Sequence, residues 1–161
     1  MKKIYYIQFI VAVAGVLSFV SGCGEKLPAG MPKPVPCTIV VTQEGQPLAD
    51  AVVSLEPTDD GKWGAIGKTD ESGKAIVFTM DRYQGAVPGK YRVAVNKSET
   101  EKPTGQVTSS ADKSTSLAGY DLVEEKYRSK VTSPLEIEVV KGTLEYPVDA
   151  GKAVRIKMPV R

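Results

Sequence analysis

The sequence predicts an all-β fold, a seven-stranded β-sandwich, and three features of the chain past Pro36 predict it. The apolar runs are short and rich in valine and isoleucine, and they are bounded by Gly, Pro, Asp and Ser clusters at nearly regular spacing. Two of them, Tyr91-Arg92-Val93-Ala94-Val95-Asn96 and Leu135-Glu136-Ile137-Glu138-Val139, alternate apolar and polar residues, as strands do with one face on a core and one in water. In order, the strand candidates are Cys37 to Thr42, Ala51 to Glu56, Ala65 to Thr69, Lys74 to Met80, Lys90 to Asn96, Leu135 to Val140 and Ala153 to Met158. Seven such strands with one-sided faces pair into two sheets over one core.

The connections follow turn chemistry. Gln43-Glu44-Gly45-Gln46-Pro47-Leu48 sets Gly and Pro between two apolar runs, which predicts a β-arch or hairpin. Thr69-Asp70-Glu71-Ser72-Gly73-Lys74 offers a carboxylate to accept backbone N–H groups ahead of it and a glycine able to take positive φ, so a tight hairpin turn is expected. Calcium is the sharper reading of that turn, but an EF-type loop needs alternating oxygen ligands and a closing glutamate that this stretch lacks. Asp59-Asp60-Gly61 is read in the same way. Lys97 to Gly119 is dominated by Ser, Thr, Lys and Glu, with Val107 and Leu117 its only sizeable apolar residues, and is expected to be a mobile surface insertion. Asn96-Lys97-Ser98 matches a glycosylation pattern that is treated as chance. Glu124-Glu125-Lys126-Tyr127-Arg128 supplies at most one helical turn, with Tyr127 closing over a core edge.

The N-terminus reads as an address. Met1-Lys2-Lys3 is a basic n-region, and Ile4 to Val20 is an apolar run interrupted by Gln8, Gly15, Ser18 and two tyrosines. That run is at the lower limit for a membrane-spanning helix, which needs about 20 residues. Val20-Ser21-Gly22-Cys23 resembles a bacterial lipobox, in which small residues admit a peptidase and the thiol of Cys23 takes the lipid. Residues 1–22 are therefore expected to be a lipoprotein signal peptide and Cys23 the acylated first residue of the mature chain. Gly24 in place of an aspartate favours the outer membrane or surface over inner-membrane retention. Residues 23–36, with four prolines from Gly24 to Pro36, are read as an extended tether, and 37–160 as the domain. Cys37 is then the remaining thiol, and its apolar strand-like setting predicts a small buried hydrophobe.

Charge and composition exclude several functions. Formal charge is +2, and Lys2 and Lys3 account for it, so the mature body balances 19 basic against 19 acidic residues. A neutral body argues against a nucleic-acid partner. The chain has no histidine, which removes Ser-His-Asp and Cys-His catalysis and most catalytic zinc sites. No residue is nominated to hold a metal or cofactor.

Gly45-Gln46-Pro47-Leu48-Ala49-Asp50-Ala51-Val52-Val53, Gly67-Lys68-Thr69-Asp70-Glu71-Ser72-Gly73 and Gly85-Ala86-Val87-Pro88-Gly89-Lys90-Tyr91-Arg92-Val93 together resemble the carboxypeptidase regulatory-like domain. Glu125-Lys126-Tyr127 and Thr132 to Val139 are similar to the C-terminal half of small lipoproteins abundant in Planctomycetes. The resemblance spans about residues 36 to 160 and implies a transthyretin-like Greek-key sandwich. It carries no zinc catalysis, since the 139 residues from Cys23 onward have neither the length nor the histidines for a catalytic domain. Nor does the chain match the transthyretin-like hydrolase of purine metabolism, whose site depends on histidines and a C-terminal tetrapeptide that Val160-Arg161 does not supply.

The expected function is a non-enzymatic, membrane-anchored envelope protein, with an envelope protein or polysaccharide as partner. An alternative is a carbohydrate or small-ligand binding module, for which Trp63, Tyr83 and Tyr120 are the nominated contacts because they lie in or beside loops. A third reading, a glycosidase-like carboxylate pair drawn from Asp59, Asp60, Asp81 and Asp121, requires a fixed separation across a cleft.

Overall fold

The computed structural model describes residues 26–59, 61–101 and 118–158. The signal segment, Cys23, Asp60 and residues 102–117 of the insertion lie outside the described residues.

The described chain is nearly all β, arranged in three sheets. In the first, β1 (Thr38–Gln43) is central. It pairs in parallel with β12 (Glu145–Asp149) and antiparallel with β2 (Gln46–Pro47) and β5 (Lys74–Ile76). In the second, the order is β11 (Glu136–Val139), β8 (Gly89–Asn96), β3 (Val52–Pro57), β4 (Ala65–Lys68), β6 (Phe78–Thr79) and β7 (Tyr83–Gln84), every pairing antiparallel. The third is a small sheet of β13 (Ala153–Lys157), β10 (Gly119–Val123) and β9 (Ser98–Thr100). A single helical turn, Glu125–Arg128, brings Tyr127 against the core edge.

One core forms where the first two sheets contribute alternate residues. Ile39 and Val41 come from β1, Val53 and Leu55 from β3, Val93 and Val95 from β8, Val139 from β11, and Tyr146 and Val148 from β12. Each fully buried valine or leucine contributes roughly 1.5–3 kcal/mol by leaving water. Cys37 belongs to this cluster and is buried, and burial pushes its thiol up to about 11. Thr69 locks the arch after β2 from within. Its buried hydroxyl accepts from the Ala51 amide at 2.8 Å and donates to the Leu48 carbonyl at 2.7 Å.

Each of the seven expected strands has a counterpart, but they do not make a seven-stranded sandwich of two sheets: the shorter or unexpected strands β2, β7, β9, β10 and β12 join them, Ala153–Lys157 pairs in the third sheet, and one expected strand changes path. Lys74 to Met80 is split at Val77, so that β5 pairs with β1 in the first sheet while β6 pairs with β4 in the second. The turn at Asp70 forms as expected: its Oδ1 accepts from the Ser72 hydroxyl at 2.7 Å and from the Ser72 and Lys74 amides at 2.9 Å. Gly73 sits there at φ +76°, where a Cβ would lie 2.5 Å from the Val41 carbonyl oxygen. The insertion is anchored at its base, because Ser98–Thr100 pairs with Gly119 to Asp121.

The tether expectation is corrected. Residues 26–36 do not stand off the domain. Met31 is buried against Tyr83 and Val87, with Trp63 packed on the same cluster. Val35 pairs with Ala86, its N–H donating to the Ala86 carbonyl at 2.8 Å and its carbonyl accepting from the Ala86 N–H at 3.1 Å. The Tyr83 hydroxyl donates to the Lys26 carbonyl at 3.1 Å. Prolines give this segment an extended backbone suited to lying along a sheet edge, and Met31 and Val35 give it two apolar residues to bury.

Candidate functional site

The run Lys74 to Met80 has two apolar faces, and the fold buries the smaller one. Ala75, Val77 and Thr79 point inward with no exposed surface, and the Thr79 hydroxyl donates to the Gly85 carbonyl at 2.8 Å. Close backbone approach requires small residues here: a Cβ on Gly67 would meet the Ile76 carbonyl oxygen at 2.6 Å. Ile76 (51% exposed), Phe78 (38%) and Met80 (55%) therefore face outward, and Ile66 of β4 sits opposite Phe78 in register and adds a fourth exposed apolar side chain.

Depressions flank this ridge on both sides of Phe78. The larger, a groove of about 540 Å³, has Ile76, Phe78 and Gly67 on its floor and Thr38, Lys68, Asp70, Lys74 and Glu145 around it. Three of the rim charges are held in ion pairs, Lys68 with Asp50 at 2.8 Å and Lys74 with Glu145 at 2.6 Å. The Lys68 ammonium holds the Asp50 carboxyl below its usual range, and the Glu145 carboxylate raises Lys74. The Ser72 hydroxyl and then the Lys74 amide hold Asp70 low. The smaller depression, about 190 Å³, gathers Ile66, Phe78 and Met80 with Glu56, Asp81 and Lys130. An aromatic face beside fixed charges suits a partner with apolar and hydrogen-bonding groups close together.

The nominated aromatics fall in two places. Trp63 and Tyr83 meet in the cluster with Met31, but Tyr83 is packed down, only 9% exposed, with its hydroxyl engaged by Lys26. Trp63 is half-buried, and its carbonyl accepts from the Tyr91 hydroxyl at 3.2 Å. Tyr120 lies apart in the third sheet, half-buried, with the Arg155 guanidinium 3.8 Å from its ring centroid and Arg155 in turn bonded to Glu99 at 2.8 Å. The structure thus joins Trp63 with Tyr83 and leaves Tyr120 elsewhere.

The nominated carboxylates sit on different elements, Asp60 lying outside the described residues. Asp121 on β10 is paired with Arg128, Asp81 follows β6 at φ +57° and shares the smaller depression with Glu56, and Asp59 is exposed in the β3–β4 connection. Among the described residues no three His, Cys, Asp or Glu side chains gather as a metal site, and no helix is long and apolar enough to cross a membrane. Phe78 went unnominated in the sequence because a strand residue flanked by Val77 reads as core. The signal that could have found it is that both faces of Lys74 to Met80 are apolar, when only one can be buried.

Comparison with protein-family models, with characterised proteins and with solved structures finds no match to this chain.

Proposed function

We propose that this chain is a lipid-anchored cell-envelope protein whose β-sandwich is non-catalytic and acts as an interaction or structural module. The observation that carries the reading is the docking of residues 26–36 on the domain immediately after the lipobox-like Val20-Ser21-Gly22-Cys23. A segment that served only as a removable leader or a passive spacer would have no reason to bury Met31 and pair Val35. On this reading the anchor is Cys23 and the domain faces the envelope compartment, at the outer membrane or surface.

The same proposal takes the fold as a transthyretin-like Greek key of the carboxypeptidase regulatory-like kind. The order β8-β3-β4-β6 supports it, since the fourth of these strands in the chain returns beside the first. A second reading, a carbohydrate or small-ligand module, is favoured by one feature, the half-open Phe78 ring between two depressions. Glycan binding by the wild type that Phe78→Ala abolishes would select it.

The test of the anchor is Cys23→Ser in the full chain, followed by membrane fractionation and acyl labelling. The wild type is expected to take label and partition with membranes, and the variant to do neither. Membrane retention of the variant would overturn the lipid anchor.

A further inference from the structure

The docked tether fixes where an anchor on Cys23 would be. From Cys23 to Lys26 there are three Cα–Cα steps, a reach of about 11 Å at most. Lys26 is held by the Tyr83 hydroxyl at 3.1 Å, and Tyr83 pairs with Thr79 in the β6–β7 hairpin. The turn of that hairpin is Met80-Asp81-Arg82, and Met80 is 55% exposed. Leu27, the residue after Lys26, is 36% exposed, and Ile66 and Phe78 continue the apolar surface from Met80 along β4 and β6. Lys130 joins Ile66, Phe78 and Met80 around the smaller depression, with Glu56 and Asp81.

From this juxtaposition we propose that the end of the domain bearing Leu27, Met80 and Phe78 is a membrane-contact surface, seated on the bilayer that holds the anchor. The occupant is the headgroup and upper acyl region of that leaflet. Three points select it. Gly24 and Glu25, the two residues between Cys23 and Lys26, leave no length for a stalk. Exposed apolar side chains lie on both elements that hold the attachment point, Leu27 directly after Lys26 and Met80 three residues before Tyr83, to whose hydroxyl Lys26 is bonded. Lys130 shares the smaller depression with Met80, Ile66 and Phe78, and Lys26 precedes Leu27 in the chain, so that ammonium groups would meet lipid phosphates while apolar neighbours enter the interface. The opposite end, carrying the β1–β2 turn and Gln46, then points away from the membrane, since β1 runs from the tether toward Gln43.

This inference rests on the lipid anchor proposed above, and the test separates the two. Full-length lipidated protein is prepared as Met80→Cys, Leu27→Cys and Gln46→Cys, each labelled with a polarity-sensitive fluorophore and reconstituted into phosphatidylethanolamine–phosphatidylglycerol vesicles with or without nitroxide-bearing acyl chains. Cys37 is buried and is expected to take no label in the native protein, which the wild-type chain carried through the same labelling checks. The labels at 80 and 27 are expected to shift to the blue and to lose emission when the nitroxide lies near the headgroups, while the label at 46 does neither. Flotation of all three proteins with the vesicles, combined with water-like emission at 80 and 27, would overturn the contact surface and leave the anchor standing. Failure to float would overturn the anchor itself, and this inference with it.

Discussion

Replacing Gly85 by alanine places a methyl group 2.1 Å from the Val35 carbonyl oxygen and 2.8 Å from its carbon, at a residue whose φ is +99°. Neither obstacle is a flexible side chain. Holding an L-residue in this region costs roughly 1–2 kcal/mol wherever the tether goes. Relieving the clash requires the tether to leave, which forfeits two backbone hydrogen bonds worth about 1 kcal/mol each and the burial of Met31, worth about 2 kcal/mol. Conformational entropy regained by the freed segment returns part of this. The net expectation is a loss of about 3 kcal/mol with the sandwich still folded, because the main core lies between β1 and β3 and does not include Met31. Urea unfolding gives the stability change, and amide exchange gives its location: the Val35 and Ala86 N–H groups become unprotected while Val53 and Val93 stay protected. Wild-type stability together with unchanged protection at Val35 and Ala86 would refute the docked tether.

Thr69→Val keeps the shape of a buried side chain and removes the acceptor for the Ala51 amide, so a loss of about 2–3 kcal/mol in urea unfolding is expected, with Thr69→Ser recovering most of it. A Thr69→Val cost near zero would mean that the hydroxyl is not what holds the arch. Cys37 is expected to resist a thiol reagent at pH 8 until the protein is unfolded. Its thiol rises from 9.0 to about 11 on burial, so below pH 9 it is neutral in both states; between the two values only the unfolded chain ionises, and stability falls by about 1.4 kcal/mol per pH unit. Tyr91, pushed up to about 12 by burial and then by the neighbouring Cys37, steepens the same alkaline limb from pH 10. A flat stability profile across that range, or rapid native labelling, would contradict the burial. Asp70 behaves oppositely: its carboxyl is held low by Ser72 and Lys74, so its contribution is present above the ordinary carboxylate range and is lost as pH falls. Asp70→Ala is expected to lower the urea midpoint at neutral pH and leave a shallower acid limb, and equal midpoints at pH 7 would dismiss the turn's role.

How much of this was legible in the sequence depends on whether the determinant was local. β8 and β11 were readable because alternation within six residues sets which face is buried. The Asp70 turn was readable because acceptor, donors and glycine are adjacent. β12 is not among the strand candidates of the sequence; Pro147 in its middle lacks an N–H for the ladder, and the fold accommodates it by placing β12 at a sheet edge, where among the described residues it pairs with β1 alone. The docked tether was illegible, since Met31 and Val35 find partners at Tyr83, Val87 and Ala86, about fifty residues along the chain. The candidate ridge failed for a related reason. Hydrophobicity alone assigns Ile76 and Phe78 to the core, whereas the fold turns Ala75, Val77 and Thr79 inward, and Gly67 admits the close approach of the Ile76 backbone.

The docked segment also changes what an anchored domain of this kind can reach. Thirteen free residues from Gly24 to Pro36 would extend up to about 45 Å and let the sandwich meet partners well above the lipid in any orientation. On the lipid anchor and membrane contact proposed above, a domain held at Lys26 offers outward the β1–β2 end, with the 540 Å³ groove, lined by Phe78 and Glu145, opening to the side. A partner in the same membrane can meet that groove laterally, whereas one above the membrane meets the turns after β1 and β2 first. The choice depends on Gly85, which must be both without a side chain and at positive φ for Val35 to lie where it does. One residue of backbone chemistry therefore separates a fixed mount from a stalk, and the Gly85→Ala variant, which replaces no residue of the groove although Gly85 bridges Phe78 through the backbone, distinguishes a partner that needs the orientation from one that needs only the surface once Phe78→Ala is measured beside it.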